Sequence, residues 1–176
     1  VATPMEPGCR LLLATDEDPR CDREAYQQLN GKLMWAMLVT RPDICFAVGR
    51  LSQFNTDPTE QHWIAAKRVL RYLSGTKTAK IHYGQDGGGL LGYSDSDFAE
   101  DITRKSTSGC LFMLAGGAIA WTSKKQSLVA ASTTEAEYIA YSEAAKEAAW
   151  LRQLCLDTQQ ADCLLQDESV WLGGDN

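Results

Sequence analysis

Residues 107–122, TSGCLFMLAGGAIAWT, and residues 132–156, STTEAEYIAYSEAAKEAAWLRQLCL, decide the fold class. In the first, Thr107–Leu114 and Ala118–Thr122 are strand-length apolar runs on either side of Ala115-Gly116-Gly117, a hairpin signal. In the second, hydroxyl residues lead into a long run at helical spacing, which predicts a helix from about Thr134 to Leu156. Leu90–Ser94 upstream and Ser169–Leu172 downstream read as two further short strands, and Gly173-Gly174-Asp175-Asn176 closes the chain. The order strand, hairpin, long helix, strand is an α/β layout with a helix packed on a sheet.

Upstream of this region, Gln85-Asp86-Gly87-Gly88-Gly89 is a linker by composition and the best boundary in the chain. Three helical segments precede it. Arg23–Val39 spaces Tyr26, Leu29, Leu33, Ala36 and Met37 along one side. Thr40-Arg41-Pro42-Asp43 breaks the chain, and Pro42 suits the first turn of a new helix over Asp43–Phe54. After the turn Asn55-Thr56-Asp57-Pro58, Thr59–Leu73 carries Trp63, Ala66, Val69, Leu70 and Leu73 as its apolar side. Residues 1–22 read as an irregular lead-in with an acidic cluster, Asp16-Glu17-Asp18. No glycine-punctuated ligand loop follows that cluster, so a solvated loop is favoured over a cation site.

Composition narrows the function. The chain has 176 residues, 44% hydrophobic and 23% charged, which are globular proportions. Its net charge of −6 makes it a poor general binder of nucleic acid, because duplex binding leans on phosphate neutralisation. Any such role must rest on a local basic surface. From Glu60 to Lys80 there are five basic residues against one acidic, with Lys67, Arg68 and Arg71 opposite the apolar side of the third helix. Charge alone does not choose between a phosphate-facing surface and a solvated helix face. Arg104, Lys105, Lys124 and Lys125 form a second basic set among hydroxyl residues, in a window with no acidic residue from Ile102 to Gln126. That set suits a nucleic-acid backbone or, alternatively, an edge strand protected by lysine.

The longest mostly apolar stretch, Cys110–Trp121, is interrupted by two glycines and falls short of the roughly 20 residues a bilayer-spanning helix needs. No secretory signal opens the chain, and a start at Val1 suggests a processed product or a piece of something longer. Six cysteines without a C-x-x-C pair, and only two histidines, argue against a Cys/His zinc site; reduced intracellular thiols are expected.

Three carboxylates stand where α/β folds gather their sites, at strand ends and helix starts. Asp95 follows the first strand in Tyr93-Ser94-Asp95-Ser96-Asp97, Asp175 follows the last, and Glu137 lies in the first turn of the long helix. Converging carboxylates repel unless cations hold them, so a convergent set implies bound metal. Asp97 competes with Asp95, since strand side chains repeat with period two. Both Ser132–Glu135 and Thr134–Glu137 have capping-box spacing, yet the helix needs one cap. On a helical wheel Ala144, Ala148 and Cys155 fall within about 20° of Glu137, and Glu135 lies about 160° away. Glu137 is therefore expected at the centre of the small-residue stripe facing the sheet, with Glu135 facing water. This geometry favours a functional Glu137 over a cap.

Several motifs in order carry a resemblance. Gly92-Tyr93-Ser94-Asp95-Ser96-Asp97, Arg104-Lys105-Ser106-Thr107-Ser108-Gly109, Trp121-Thr122-Ser123-Lys124-Lys125-Gln126 and Ser132-Thr133-Thr134-Glu135-Ala136-Glu137-Tyr138-Ile139-Ala140 resemble the ribonuclease H region of copia-type LTR retrotransposon Pol polyproteins. Thr40-Arg41-Pro42-Asp43-Ile44 and the run from His62 to Thr76 resemble the segment joining reverse transcriptase to ribonuclease H. The likeness runs from about Thr3 to Asn176 and corresponds to the C-terminal part of such a polyprotein.

The resemblance implies a ribonuclease H-like mixed sheet with packed helices, incomplete at its C-terminus, over residues 88–176. A helical thumb or connection segment over 23–84 and the lead-in over 1–22 would precede it. It implies Asp95, Glu137 and Asp175 as catalytic ligands of two Mg²⁺ ions, with Mn²⁺ as an alternative. The reaction would be hydrolysis of the RNA strand of RNA–DNA hybrids. Lys67, Arg68, Arg71, Arg104, Lys105, Lys124 and Lys125 are candidate nucleic-acid contacts. The implied partners are the hybrid and the other Pol domains, reverse transcriptase palm and fingers, with no membrane and no small-molecule ligand. The implied setting is intracellular, in cytoplasmic virus-like particles or the nucleus. The Tyr-x-Asp-Asp motif of polymerisation is absent, so DNA synthesis by this chain alone is not expected. The alternative reading is a truncated non-catalytic fragment that positions hybrid or partner domains.

Overall fold

Asp22 starts the first helix. Its carboxylate accepts from the backbone N–H groups of Glu24 and Ala25 at 2.9 and 3.1 Å, satisfying two donors that a helix start leaves open. In the computed structural model, which describes residues 1–84, 88–98, 103–158 and 170–174, this helix is α1, Arg23–Val39, as its spacing predicts. The chain divides into two units, residues 1–80 and 81–176.

In the first unit the expected helix from Asp43 to Phe54 is shorter and begins differently. Pro42–Ile44 forms a 3₁₀ turn, and α2 spans Cys45–Ser52. Proline lacks the N–H and fixes φ, which suits a tight opening turn. Arg41 grips Asp43 through Nε at 2.9 Å and a terminal nitrogen at 2.7 Å, and Tyr72 of α3 (Glu60–Gly75) donates to the same carboxylate at 2.7 Å. Burial alone would raise the Asp43 pKa, but the bonds from Arg41 and Tyr72 outweigh it and leave it lowered. Tyr26, Leu33, Ile44, Val48, Leu51, Ala66 and Val69 make the core, with Leu11 from the lead-in. The lead-in is irregular but anchored: Glu60 N donates to Pro19 O at 2.9 Å and Cys21 N to Pro58 O at 3.2 Å.

A buried histidine caps α3. Thr59 N–H donates to His62 Nδ1 at 2.9 Å, so that nitrogen is unprotonated and Nε2–H donates to the Leu12 carbonyl at 3.0 Å. The ring stacks on Phe54 at 4.0 Å, and burial lowers its pKa.

The second unit is a mixed four-stranded sheet with a helix on it. β1 (Leu91–Asp97), β2 (Thr107–Leu114), β3 (Gly117–Lys125) and β4 (Trp171–Gly173) stand in the order β3-β2-β1-β4. β1–β2 and β2–β3 are antiparallel; β4 lies parallel to β1. The β2–β3 loop is two residues, Ala115 (φ +50°) and Gly116 (φ +77°), the pair of positive φ angles that a tight hairpin of this twist requires. β1 runs three residues past the expected Ser94 and so carries both Asp95 and Asp97.

α4, Thr133–Asp157, packs on β1 and β2. Its buried side is Ala136, Ala140, Ala144, Ala148 and Leu151, meeting Leu90 and Phe112. Alanine lets the helix lie close to the sheet, and Gly92 leaves room on β1 for the side chains of the two neighbouring strands. A Cβ there would come within 2.6 Å of Phe112 and 2.9 Å of Leu172. Among the described residues no helix is long and apolar enough to cross a membrane.

Candidate functional site

The carboxyl ends of β1 and β4 open on one cavity of about 470 Å³. Asp95 lines it from β1, and Gly173 and Gly174 line it from the end of β4. The parallel register sets Gly173 beside Tyr93. Opposite Asp95 across the antiparallel ladder is Gly109, also in the lining, which has no side chain to fill the space. Asp95 is exposed, and its Oδ1 accepts from Ser96 N–H at 2.7 Å. Asp97 is half-buried and outside the cavity lining. Geometry thus separates two aspartates that spacing alone leaves equivalent. Asp175 lies outside the described residues.

The start of α4 is tied to the same end of the sheet. Ser132 Oγ accepts from Glu135 N–H at 3.1 Å, and the Glu135 carboxylate accepts from Ala131 N–H at 2.6 Å. The capping pair is therefore Ser132–Glu135, so Glu137 is not needed as the cap. Glu137 is half-buried and stands on the flank of the alanine stripe, not at its centre. The buried residues step by four, which drifts around the helix and moves the stripe toward Ala136 and Ala140.

Gln126 makes the tie, a role that sequence reasoning misses. Its side chain, 2% exposed, donates through Nε2 to Ser108 Oγ and to the Ala136 carbonyl, each at 2.9 Å. Ser108 pairs with Ser96, the residue after Asp95. One amide thus links the first turn of α4, the start of β2 and the Asp95 end of β1. The only available signal was a polar residue at the close of a strand, which reads equally as a loop residue.

The basic candidates divide. Register puts Lys124 opposite Ser108 and Lys125 opposite Thr107, at the Asp95 end of the sheet. Lys124 also lines a second cavity, of about 310 Å³, with Glu143, Lys146 and Glu147 of α4. Lys105 donates to Ser127 O at 2.6 Å, and Arg104 is exposed with φ +56°. In the first unit, Lys67 lies over the Trp63 ring at 5.1 Å, Arg71 is exposed, and Arg68 stands 3.7 Å from Glu6.

Asp16 to Asp18 behaves as a loop. Asp18 accepts from Thr15 N–H at 2.8 Å and Thr15 Oγ1 at 2.7 Å, a local turn. Among the described residues no three Asp, Glu, His or Cys side chains gather as a metal site. Among the described residues, Asp95 is the one carboxylate that lines the cavity, a hard-oxygen donor of the kind Mg²⁺ takes, and Glu137 is not in the lining.

The chain is similar to several known proteins. It is 54% identical to the secreted RxLR effector protein 161 of Plasmopara viticola over 128 residues, covering 72% of this chain and 90% of that protein. It is 51% identical to the retrovirus-related Pol polyprotein from transposon TNT 1-94 of Nicotiana tabacum over 159 residues, or 87% of this chain. The polyprotein from transposon RE2 of Arabidopsis thaliana is 40% identical over 156 residues, or 88% of this chain. The matches span only 12% and 11% of those two polyproteins. No family model matches the chain, and no solved structure does. The chain belongs to the family of the Plasmopara protein, and the same stretch of sequence recurs as a segment of the retrovirus-related Pol polyproteins of plant transposons.

Proposed function

We propose that residues 88–176 are the ribonuclease H portion of a retrotransposon reverse transcriptase, cutting the RNA strand of RNA–DNA hybrids. The observation that carries this reading is the single cavity shared by Asp95 and the end of β4. Carboxyl ends of parallel neighbours are where α/β sheets place their sites. Gln126 ties the Ala136 carbonyl in the first turn of α4 to the start of β2, which supports giving the neighbouring Glu137 a role at the same end. Relatedness to transposon Pol polyproteins supports the setting.

In this reading Asp95 and Glu137, with Asp175 as third ligand, hold Mg²⁺ or Mn²⁺. Bound there, two such ions supply an activated water and a stabilised leaving oxygen. The chain's own residues do the positioning. Ser96 N–H fixes Oδ1 of Asp95, and Gln126 holds the Glu137 turn against β2. Arg104, Lys105, Lys124 and Lys125 offer positive charge to a phosphate backbone beside that end, and Lys67, Arg68 and Arg71 offer it from the first unit. Choice of the RNA strand would depend on its 2′-hydroxyls. The other Pol domains are the partners in this setting.

A second reading has one observation behind it. The match takes up 90% of the Plasmopara protein, so this stretch also occurs outside a polyprotein. It is then a non-catalytic module that positions a hybrid or partner domains. A comparison of Asp95→Asn with Asp97→Asn on a labelled hybrid tests the first reading. Loss of metal-dependent cleavage in Asp95→Asn, with Asp97→Asn retaining it, supports it; equal loss in both removes the role given to the cavity.

A further inference from the structure

Residues 1–80 contain a cleft whose lining includes Arg68 and Arg71, two of the residues that the ribonuclease reading offers to a phosphate backbone. It lies between residues 5–11 of the lead-in and one side of α3, and its volume is about 280 Å³. Its charged lining is Arg10, Arg68, Arg71 and Glu6; its apolar lining includes Leu11 and Ile64. Three guanidiniums against one carboxylate leave a net charge of +2. Glu6 neutralises little of it, because it stands 3.7 Å from Arg68 and its side chain is 71% exposed. Arg68 donates one terminal nitrogen to Thr3 Oγ1 at 3.2 Å, and its Nε is shielded from solvent without an acceptor. Like charges gathered around one cleft are unfavourable without an anion among them.

We propose that this cleft binds the terminal phosphate of a nucleotide-class phosphate monoester. A monoester carries about −1.5 to −2 at neutral pH, which matches the cleft where a carboxylate would neutralise only half of it. Guanidinium groups fit phosphate oxygens in pairs, which favours arginine over lysine at such a site. The volume falls just under the roughly 300–1,000 Å³ of small-molecule sites, enough for the phosphate and part of a sugar or base against Leu11 and Ile64. The same chemistry has two sources, a free mononucleotide and the phosphorylated end of a strand. The cleft lies wholly within the first unit, so the proposal does not rest on the ribonuclease reading.

Isothermal titration calorimetry of the full chain with adenosine 5′-monophosphate tests it, with adenosine and acetate as controls. Saturable binding of the monophosphate alone is expected. Arg10→Gln with Arg71→Gln, both exposed, should weaken it at least about tenfold, since each removes a charge-assisted contact. Glu6→Gln, which carries little risk to folding, should tighten it about two- to fivefold by removing a weak exposed pair. A 5′-phosphorylated oligonucleotide that binds tighter than the mononucleotide assigns the site to a strand end, and equal affinity assigns it to the free nucleotide. The proposal fails on no saturable binding by the folded chain, equal binding of adenosine, or unchanged affinity in the double variant. It also fails on equal affinity for a 5′-hydroxyl oligonucleotide.

Discussion

Replacing Gln126 by Met keeps the length of the side chain and removes its hydrogen bonds. Two bonds are lost, to Ser108 Oγ and to the Ala136 carbonyl, each 2.9 Å long. At about 1 kcal/mol each they contribute about 2 kcal/mol. Ser108, 4% exposed, would also lose a donor in a place water does not readily reach. Part of this is offset, because Gln126 Oε1 is buried without a partner and its desolvation cost disappears with it. The Ala136 carbonyl keeps its place in the helical ladder, so its loss is mild. The net expectation is a destabilisation of about 1–2 kcal/mol. For a unit of this size that lowers Tm by roughly 5–15 °C. Urea unfolding of the full chain, with amide exchange reporting α4 separately, gives the number. The first turn of α4 should exchange faster than its C-terminal half. A Met variant as stable as the parent, with unchanged exchange at Ala136 and Glu137, would refute the idea that this amide fixes the helix start.

Two further outcomes follow from the structure. His62 has a folded pKa below its ordinary 6.5 because burial disfavours the imidazolium, and its Nδ1 is committed to the Thr59 N–H. A depressed folded pKa gives stability that is present above pH 6.5 and lost as pH falls through the folded value. Unfolding of the first unit followed from pH 8 to 5 should show that decline, and a His62→Gln variant should flatten it; a flat parent curve would contradict the neutral cap. Gly92→Ala sets a Cβ within 2.6 Å of Phe112 in a fully buried contact, so about 1–3 kcal/mol of stability should be lost in chemical unfolding. A neutral effect would mean that the Phe112 and Leu172 side chains can move aside at no cost.

Local patterns in the sequence carried much of the fold. The bounds of α1 followed from its spacing, because Asp22 caps it and Thr40-Arg41-Pro42 ends it within a few residues of chain. The hairpin followed from the residues at its turn, although the left-handed conformation of Ala115 is set by the strands it joins. Asp95 and Asp97 read as turn residues, so the pattern ends the strand at Ser94, whereas pairing with Gly109 and Thr107 extends β1 through both. The site was legible in part. Asp95 and Asp97 are told apart only by the cavity, whereas the cap assignment that leaves Glu137 available could be argued from spacing. Gln126, His62 and the arginine cleft could not, since each is made by partners far apart in sequence: Ser108 and Ala136, Leu12, or the lead-in against α3. Hydrophobic period says which side of an element is buried, not which polar group meets it there.

The most direct test of the central claim is cleavage of an end-labelled RNA–DNA hybrid by the full chain with Mg²⁺ or Mn²⁺, beside the Asp95→Asn and Glu137→Gln variants. Cleavage of the RNA strand that needs the metal, spares duplex DNA and falls by about a hundredfold or more in both variants is expected, since each loses a carboxylate in line to bind the ions. A folded chain that leaves the hybrid intact, or cuts it equally well without either carboxylate, would contradict the assignment of a nuclease site to this end of the sheet.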